Sequence, residues 1–236
     1  MMKRFWEIDA LRGFAVLLML VFNYSFALSF LGIYKLSADW LYWWLFPRMI
    51  AGMFIFLVGI SLSISISRKR KYNHYLKRGI FIFLLGMLAT AATWLYLGSG
   101  FVVFGILHLI GLSIIIAPIF FKFNKWNFFI GLILLFFGFY INTIKMDFSW
   151  LLWLGLVPQG FYTVDYFPLL PWFGLVLIGF AIGNNFYYNG KRNFEIKDLS
   201  KTNIIKKLAF LGRHSLLIYV LHQPLLIILL AFLGII

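Results

Sequence analysis

Long apolar runs dominate the chain, and polar residues fall mostly into short breaks between them. A helix crossing about 30 Å of hydrocarbon needs roughly 20 apolar residues. Seven runs meet that need, at roughly 8–32, 44–67, 79–97, 101–121, 126–143, 167–187 and 208–235. The fifth is the weakest, because the break beside it is short. The stretch 146–164 (MDFSWLLWLGLVPQGFYTV) is also apolar, but Gly and Pro interrupt it. It is expected at the membrane interface as a short amphipathic or re-entrant piece, with Trp150 and Trp153 in the aromatic belt. The predicted fold class is all-α: a polytopic integral membrane helical bundle of about seven transmembrane helices, forming a single domain over 1–236.

Composition supports the same class. The chain is 63% hydrophobic, 21% aromatic and 12% charged, whereas a soluble domain carries about 25% charged residues. It has too few polar groups to cover a water-exposed surface. The net charge of +14 would suggest nucleic acid in a soluble protein, but the positions of the charges argue for a bilayer. One side of the layout holds Lys3, Arg4, the basic run from Arg68 to Arg78, Lys122, Lys125 and the loop 188–207, with Arg12 and Arg213 just inside the membrane. The other side holds only Lys35, Arg48 and Lys145. Basic loops face the cytoplasm, which places the N-terminus inside and the C-terminus outside the cell membrane. Headgroup contact and orientation account for most of these lysines, including the loop that carries His74. There is no cysteine, which excludes disulfides and thiolate chemistry. Lys3 and Arg4 ahead of an apolar run resemble a signal peptide, but the run continues past Asn23 to about Ile33 without a small-residue cleavage site, so it reads as a retained helix.

Ionisable and polar groups inside spans are costly and functional by default. Asp9, Arg12 and Asn23 share one stripe of the first helix. Asp9 and Arg12 can pair at i, i+3, and Asn23 stands about 21 Å further along. In the fourth span Gly105, His108 and Gly111 fall on one face, with His108 about 10 Å below the outer end. The last span starts at Gly212-Arg213-His214-Ser215 and places Ser215, Tyr219 and His222 on one face, His222 about 21 Å above the cytoplasmic end. Gln223 and Pro224 follow, and the proline releases a backbone carbonyl one turn earlier. By depth, Asn23, His108 and His222 are expected to meet in the outer half of the bilayer, with Asp165 at the outer mouth of the sixth span. A carboxylate beside an imidazole fixes its tautomer and raises its basicity, and the set then offers a general base with a polar binding group. Plainer readings stand beside this one: interhelical hydrogen bonds for the histidines and Asn23, and a helix N-cap for Asp165. His214, next to Arg213, is placed to touch a headgroup or a phosphate. No ligand-pair spacing supports a metal.

The same residues carry a family resemblance. Arg4-Phe5-Trp6-Glu7-Ile8-Asp9-Ala10-Leu11-Arg12-Gly13, followed by Phe22-Asn23-Tyr24, resembles the first helix of the heparan-α-glucosaminide N-acetyltransferase catalytic-domain family. So does Phe46-Pro47 ahead of a Gly- and Ser-rich second helix. FGILHLIG (104–111), DYFPLLPWFG (165–174) and LGRHSLLIYVLHQPLL (211–226) resemble its short prokaryotic branch. The resemblance implies a transmembrane acyltransferase that takes an acetyl group from cytosolic acetyl-CoA and passes it to an amino sugar, or another sugar-like acceptor, on the far side. The family's functional Asn falls on Asn23. Its catalytic His lies in the loop before Phe-Pro, but Leu31 to Phe46 contains no histidine here, and His108 is the candidate replacement.

On that reading the catalytic candidates are Asn23, His108, Asp165 and His222. Asn23 would donate to the developing oxyanion, His108 would act as base, and Asp165 would orient the base or the acceptor. A route through an acetyl-His is the mechanistic alternative. Arg12 and Arg213 would hold CoA phosphates as bidentate donors, with Asp9, His214 and Gln223 completing the cofactor-binding set. No metal and no nucleic acid are expected. Apolar helix faces can be covered by lipid or by a second copy in a homodimer. Two other functions use the same polar groups: a small transporter for an anionic solute, which the absence of a clear internal repeat weighs against, and a non-catalytic membrane scaffold.

Overall fold

The computed structural model describes residues 4–34, 37–68 and 71–235. Lys3, Lys35, Lys69 and Arg70 of the charge argument lie outside these. Among the described residues eight α-helices follow one another: α1 (Trp6–Phe30), α2 (Phe46–Ser67, entered through a π-helical turn Leu41–Leu45), α3 (Tyr72–Leu97), α4 (Ile106–Ile116), α5 (Trp126–Ile141), α6 (Leu169–Phe186), α7 (Asn203–Arg213) and α8 (Ser215–Phe232). α4 tightens into a 3-10 extension, Ala117–Phe123. Among the described residues, six helical stretches are long and apolar enough to cross a membrane: Trp6–Phe30, Leu41–Ser67, Tyr72–Leu97, Ile106–Phe123, Leu169–Phe186 and Ser215–Phe232. This bears out the all-α membrane bundle. The fifth predicted span is the shorter one, 16 residues, or about 24 Å of helix. Leu88, Ile133 and Phe136 are about two-thirds exposed. Such a surface would aggregate in water and is suited to lipid.

Three predicted boundaries shift for local reasons. The fourth span begins at Ile106 rather than 101, because Gly100 takes a positive φ and the segment after it pairs with 163–167 instead of coiling. Phe104 bridges Tyr166 in parallel, the Phe167 N–H donates to the Phe104 carbonyl (2.8 Å), and the Val164 N–H donates to that of Gly100 (2.9 Å). These bonds satisfy backbone groups that a helix would have satisfied internally. The piece expected as an amphipathic or re-entrant segment at 146–164 forms turns between β1 (Lys145–Met146) and β2 (Val157–Pro158), which pair in parallel. Finally, the run read as one span over 208–235 is two helices, broken at His214, whose φ and ψ are −103° and 12°.

The chain forms two compact units. One comprises the described parts of Met1–Phe54 and Ile196–Ile236, and the other runs from Ile55 to Glu195. In the first unit α7 lies along the first half of α1. Gly13 and Gly212 sit at the crossing, where a Cβ on Gly13 would overlap the Leu208 carbonyl and one on Gly212 would overlap that of Asp9. Only glycine lets two helix backbones approach so closely. In the second unit α5 and α6 run antiparallel, with Gly131 against Gly174 and Gly138 against Pro171. There α3 meets α4 through Gly79 and Gly111. Ile55, Leu57, Leu109, Val176, Leu177 and Phe180 are buried in this unit.

Candidate functional site

The glycine contact between α1 and α7 creates the first polar station. α7 is strongly amphipathic: Ala209 and Gly212 are buried while Lys206, Lys207 and Arg213 are exposed. Lys206, Ala209 and Arg213 follow one another at helical spacing on the edge nearest the start of α1. A cleft of about 170 Å³ opens there, lined by Arg4, Trp6, Asp9, Ser200, Ile205, Lys206, Ala209 and Arg213. Asp9 accepts from Arg12 Nη1 at 3.3 Å, the pair expected from the i, i+3 spacing. Three cations thus line a hollow whose acidic group already has a counter-ion. Guanidinium and ammonium groups so placed suit phosphate oxygens. Asp9 and Arg213 both line this cleft. Arg12 contributes through Asp9 and does not line the cleft. Arg4, Trp6 and Lys206 were missed as a set, although the i, i+7 spacing of Lys206 and Arg213 was open to reading. His214 ends α7 instead: its Nδ1–H donates to the Phe210 carbonyl (2.9 Å). Gln223 is half-buried in the middle of α8, ten residues beyond Arg213 and away from this cleft.

The second station lies further along α1 and α8. Asn23 Nδ2 donates to the Met19 carbonyl at 2.9 Å, and a carboxamide nitrogen carries a second N–H. The ring of the next residue, Tyr24, lies 6.4 Å from that of His222. Asn23 and His222 therefore stand at about one level of the α1–α8 pair. Because the helix restarts at Ser215, His222 is about 10 Å from its beginning rather than 21 Å. His222 is 6% exposed. Its Nδ1 lies 2.6 Å from the Tyr219 carbonyl, which only accepts, so Nδ1 carries the proton. Its Nε2 is buried without a hydrogen-bond partner.

The third station belongs to the other unit. His108 is the third residue of α4 and 1% exposed, in the first helical turn rather than well within a span. The Gly105 N–H donates to its Nδ1 at 3.2 Å, leaving the ring proton on Nε2, 3.5 Å from the Thr90 hydroxyl. Phe104 stacks on the imidazole at 5.3 Å and Phe83 meets it edge-on at 5.1 Å. A Cβ on Gly86 would come within 3.0 Å of the ring, so α3 makes room for it. Asp165 was expected to cap α6. It caps α4 instead: its Oδ2 accepts from the Ile106 N–H at 3.3 Å, while α6 starts later, after Pro168. The carboxylate also sits favourably at the positive end of the α4 dipole. Next to it the Tyr166 hydroxyl donates to the Leu152 carbonyl at 2.7 Å, and burial pushes its pKa up from the ordinary value.

Of the four catalytic candidates, Asn23 and His222 belong to one compact unit, and Asp165 and His108 to the other. A model of the catalytic region of heparan-alpha-glucosaminide N-acetyltransferase matches residues 4–224. The chain belongs to that family. Membership makes it a membrane acetyltransferase, and the match takes in all three stations. No curated protein and no solved structure matches it. In this member of the acetyltransferase family the loop ahead of Phe46-Pro47 carries aromatic residues and no histidine. There Tyr42 stacks on Phe46 at 5.4 Å and its hydroxyl meets Ser25 Oγ at 2.9 Å.

Proposed function

We propose that this membrane acetyltransferase draws its acyl group from cytosolic acyl-CoA and delivers it to a sugar-like acceptor at the outer face of the cell membrane. The observation that carries the reading is the cleft of Arg4, Lys206 and Arg213 at the start of α1, within a chain matched by the family almost end to end. CoA brings several phosphate charges on a long thin arm. With the phosphates among these cations, the arm lies along α1. An extended chain of that kind reaches about 15–20 Å, and Asn23 lies about 21 Å beyond Asp9 along the helix. The second Asn23 N–H then donates to the oxygen of the thioester carbonyl as it gains charge, which lowers the barrier more than it stabilises the bound donor. The N-terminus and the cleft face the cytoplasm on this reading.

Binding of acetyl-CoA to the purified protein in nanodiscs tests it. Arg213→Ala and Lys206→Ala are each expected to weaken binding about tenfold or more, the usual loss for a charge-assisted hydrogen bond. An affinity for acetyl-CoA that neither substitution changes would remove the cleft from the donor site.

A further inference from the structure

We infer that His222 is the general base of the transfer, in place of the loop histidine that this chain lacks. The inference rests on the acyltransferase reading and adds to it the residue that takes the acceptor's proton. A base needs an unprotonated nitrogen with its lone pair available and held in one direction. The imidazoles of His108 and His222 differ on this point. His108 has its lone pair on Nδ1, engaged by the Gly105 N–H, and its proton on Nε2 toward Thr90. Nothing on that ring is left to accept. His222 has the opposite tautomer. Its Nδ1–H is anchored on the Tyr219 carbonyl, and its Nε2 lone pair is buried and unpartnered. An unsatisfied buried acceptor destabilises the fold, a penalty that a purely structural histidine would avoid by rotating or exchanging its partner.

Position supports the assignment. Tyr24 packs near the His222 ring, so His222 shares its level with Asn23, the proposed donor to the thioester oxygen. The nucleophile is a primary amine or a hydroxyl of the acceptor. As its nitrogen or oxygen forms a bond to the acyl carbon, His222 Nε2 takes its proton. The carbon–sulfur bond then breaks, and CoA leaves as a thiolate that recovers the proton from His222. The products are the acylated acceptor and CoA thiol, with the histidine restored. Nε2 is closed off in the resting packing, so entry of the acceptor displaces side chains around it, and the base stays away from water between turnovers.

Two variants separate base from scaffold. In His222→Asn the side-chain amide keeps a donor for Tyr219 and deletes Nε2. In His108→Asn the side-chain oxygen keeps an acceptor for Gly105 and deletes the other nitrogen. With radiolabelled acetyl-CoA and glucosamine as the probe acceptor, His222→Asn is expected to keep its acetyl-CoA affinity and melting midpoint and to lose about a hundredfold or more in transfer, the usual contribution of a general base. His108→Asn is expected to stay within a few-fold of the parent. Full transfer by His222→Asn, or equal losses in both variants, would overturn the assignment. A parent protein that neither binds acetyl-CoA nor transfers its acetyl group would instead overturn the acyltransferase reading. Nitrogen chemical shifts of labelled histidine decide the base question in either event. An unprotonated Nε2 on neutral His222 sustains it, and a protonated Nε2 contradicts it.

Discussion

At the scale of single residues, the chemistry turns on where protons and lone pairs sit. Asp165 shows how a cap can come from far along the chain: its carboxylate serves the Ile106 N–H fifty-nine residues earlier. Asp165→Ala should cost about 1 kcal/mol, the usual loss for an N-cap, read as a lower melting midpoint. Tyr166 sets a pH dependence. Burial raises its pKa above the ordinary 10.0, so above about pH 10 the unfolded chain loses a proton that the folded protein keeps, and stability falls as pH rises. Below that pH both states hold the proton and Tyr166 adds no slope. Denaturation midpoints measured from about pH 9 to 11 should decline in the parent and decline less in Tyr166→Phe. Asp165 was legible as a cap, but not the helix it caps, because capping propensity is a property of the residue and the partner N–H is set by tertiary pairing. The tautomers of His108 and His222 were illegible for a different reason: each ring bonds a backbone group three residues earlier, an N–H of Gly105 in one case and a carbonyl of Tyr219 in the other, and which of the two a histidine meets depends on whether it sits in the first turn of a helix.

At the scale of elements, the separation of α7 from α8 matters most. Leu208, Ala209 and Leu211 precede the short polar step Arg213-His214-Ser215 and Leu216 follows it, and three polar residues are too few for hydropathy to divide the two helices. What divides them is local: the His214 side chain takes the Phe210 carbonyl and the backbone leaves helical geometry. The division lets α7 turn its cations toward the start of α1 while α8 remains apolar. The close contact of Gly13 with Gly212 fixes that arrangement. Gly212→Ala would drive a methyl group into the Asp9 carbonyl, and overpacking of this kind costs about 1–3 kcal/mol. The expected outcome is a lower melting midpoint together with weaker acetyl-CoA binding. A variant that melts earlier yet binds normally would show that the cleft does not depend on this crossing. The non-helical start of the fourth predicted span was hidden in a similar way. Val102, Val103 and Phe104 are apolar enough for a helix, but the Phe104 carbonyl accepts from the Phe167 N–H and the Val102 N–H donates to Thr93 Oγ1.

At the scale of the whole molecule, the pattern of apolar runs carried the bundle, while the sidedness expected from the basic breaks is a matter for labelling. The short α5 is the sensitive point. It lies antiparallel along α6, with Gly131 and Gly138 facing Gly174 and Pro171, and a helix this short would need a locally thinned bilayer or flanking residues to complete a crossing. The seven crossings expected from the sequence would put the two ends of the chain on opposite sides. The absence of cysteine makes this readable: a single cysteine at Ser200 should react with an impermeant thiol reagent from the cytoplasmic side, and one at Gly234 from the outer side. Labelling of both from one side would leave six crossings and a different path for the acyl group.

The central claim is transfer across the bilayer from a donor on one side to an acceptor on the other. Proteoliposomes in which the α1–α7 cleft faces outward, loaded with an amino sugar and given labelled acetyl-CoA in the bath, test it directly. Acetylated sugar should accumulate inside while CoA thiol appears only outside, and Arg213→Ala and His222→Asn should abolish the signal. Acetylation that occurs only when donor and acceptor share the same compartment would contradict it.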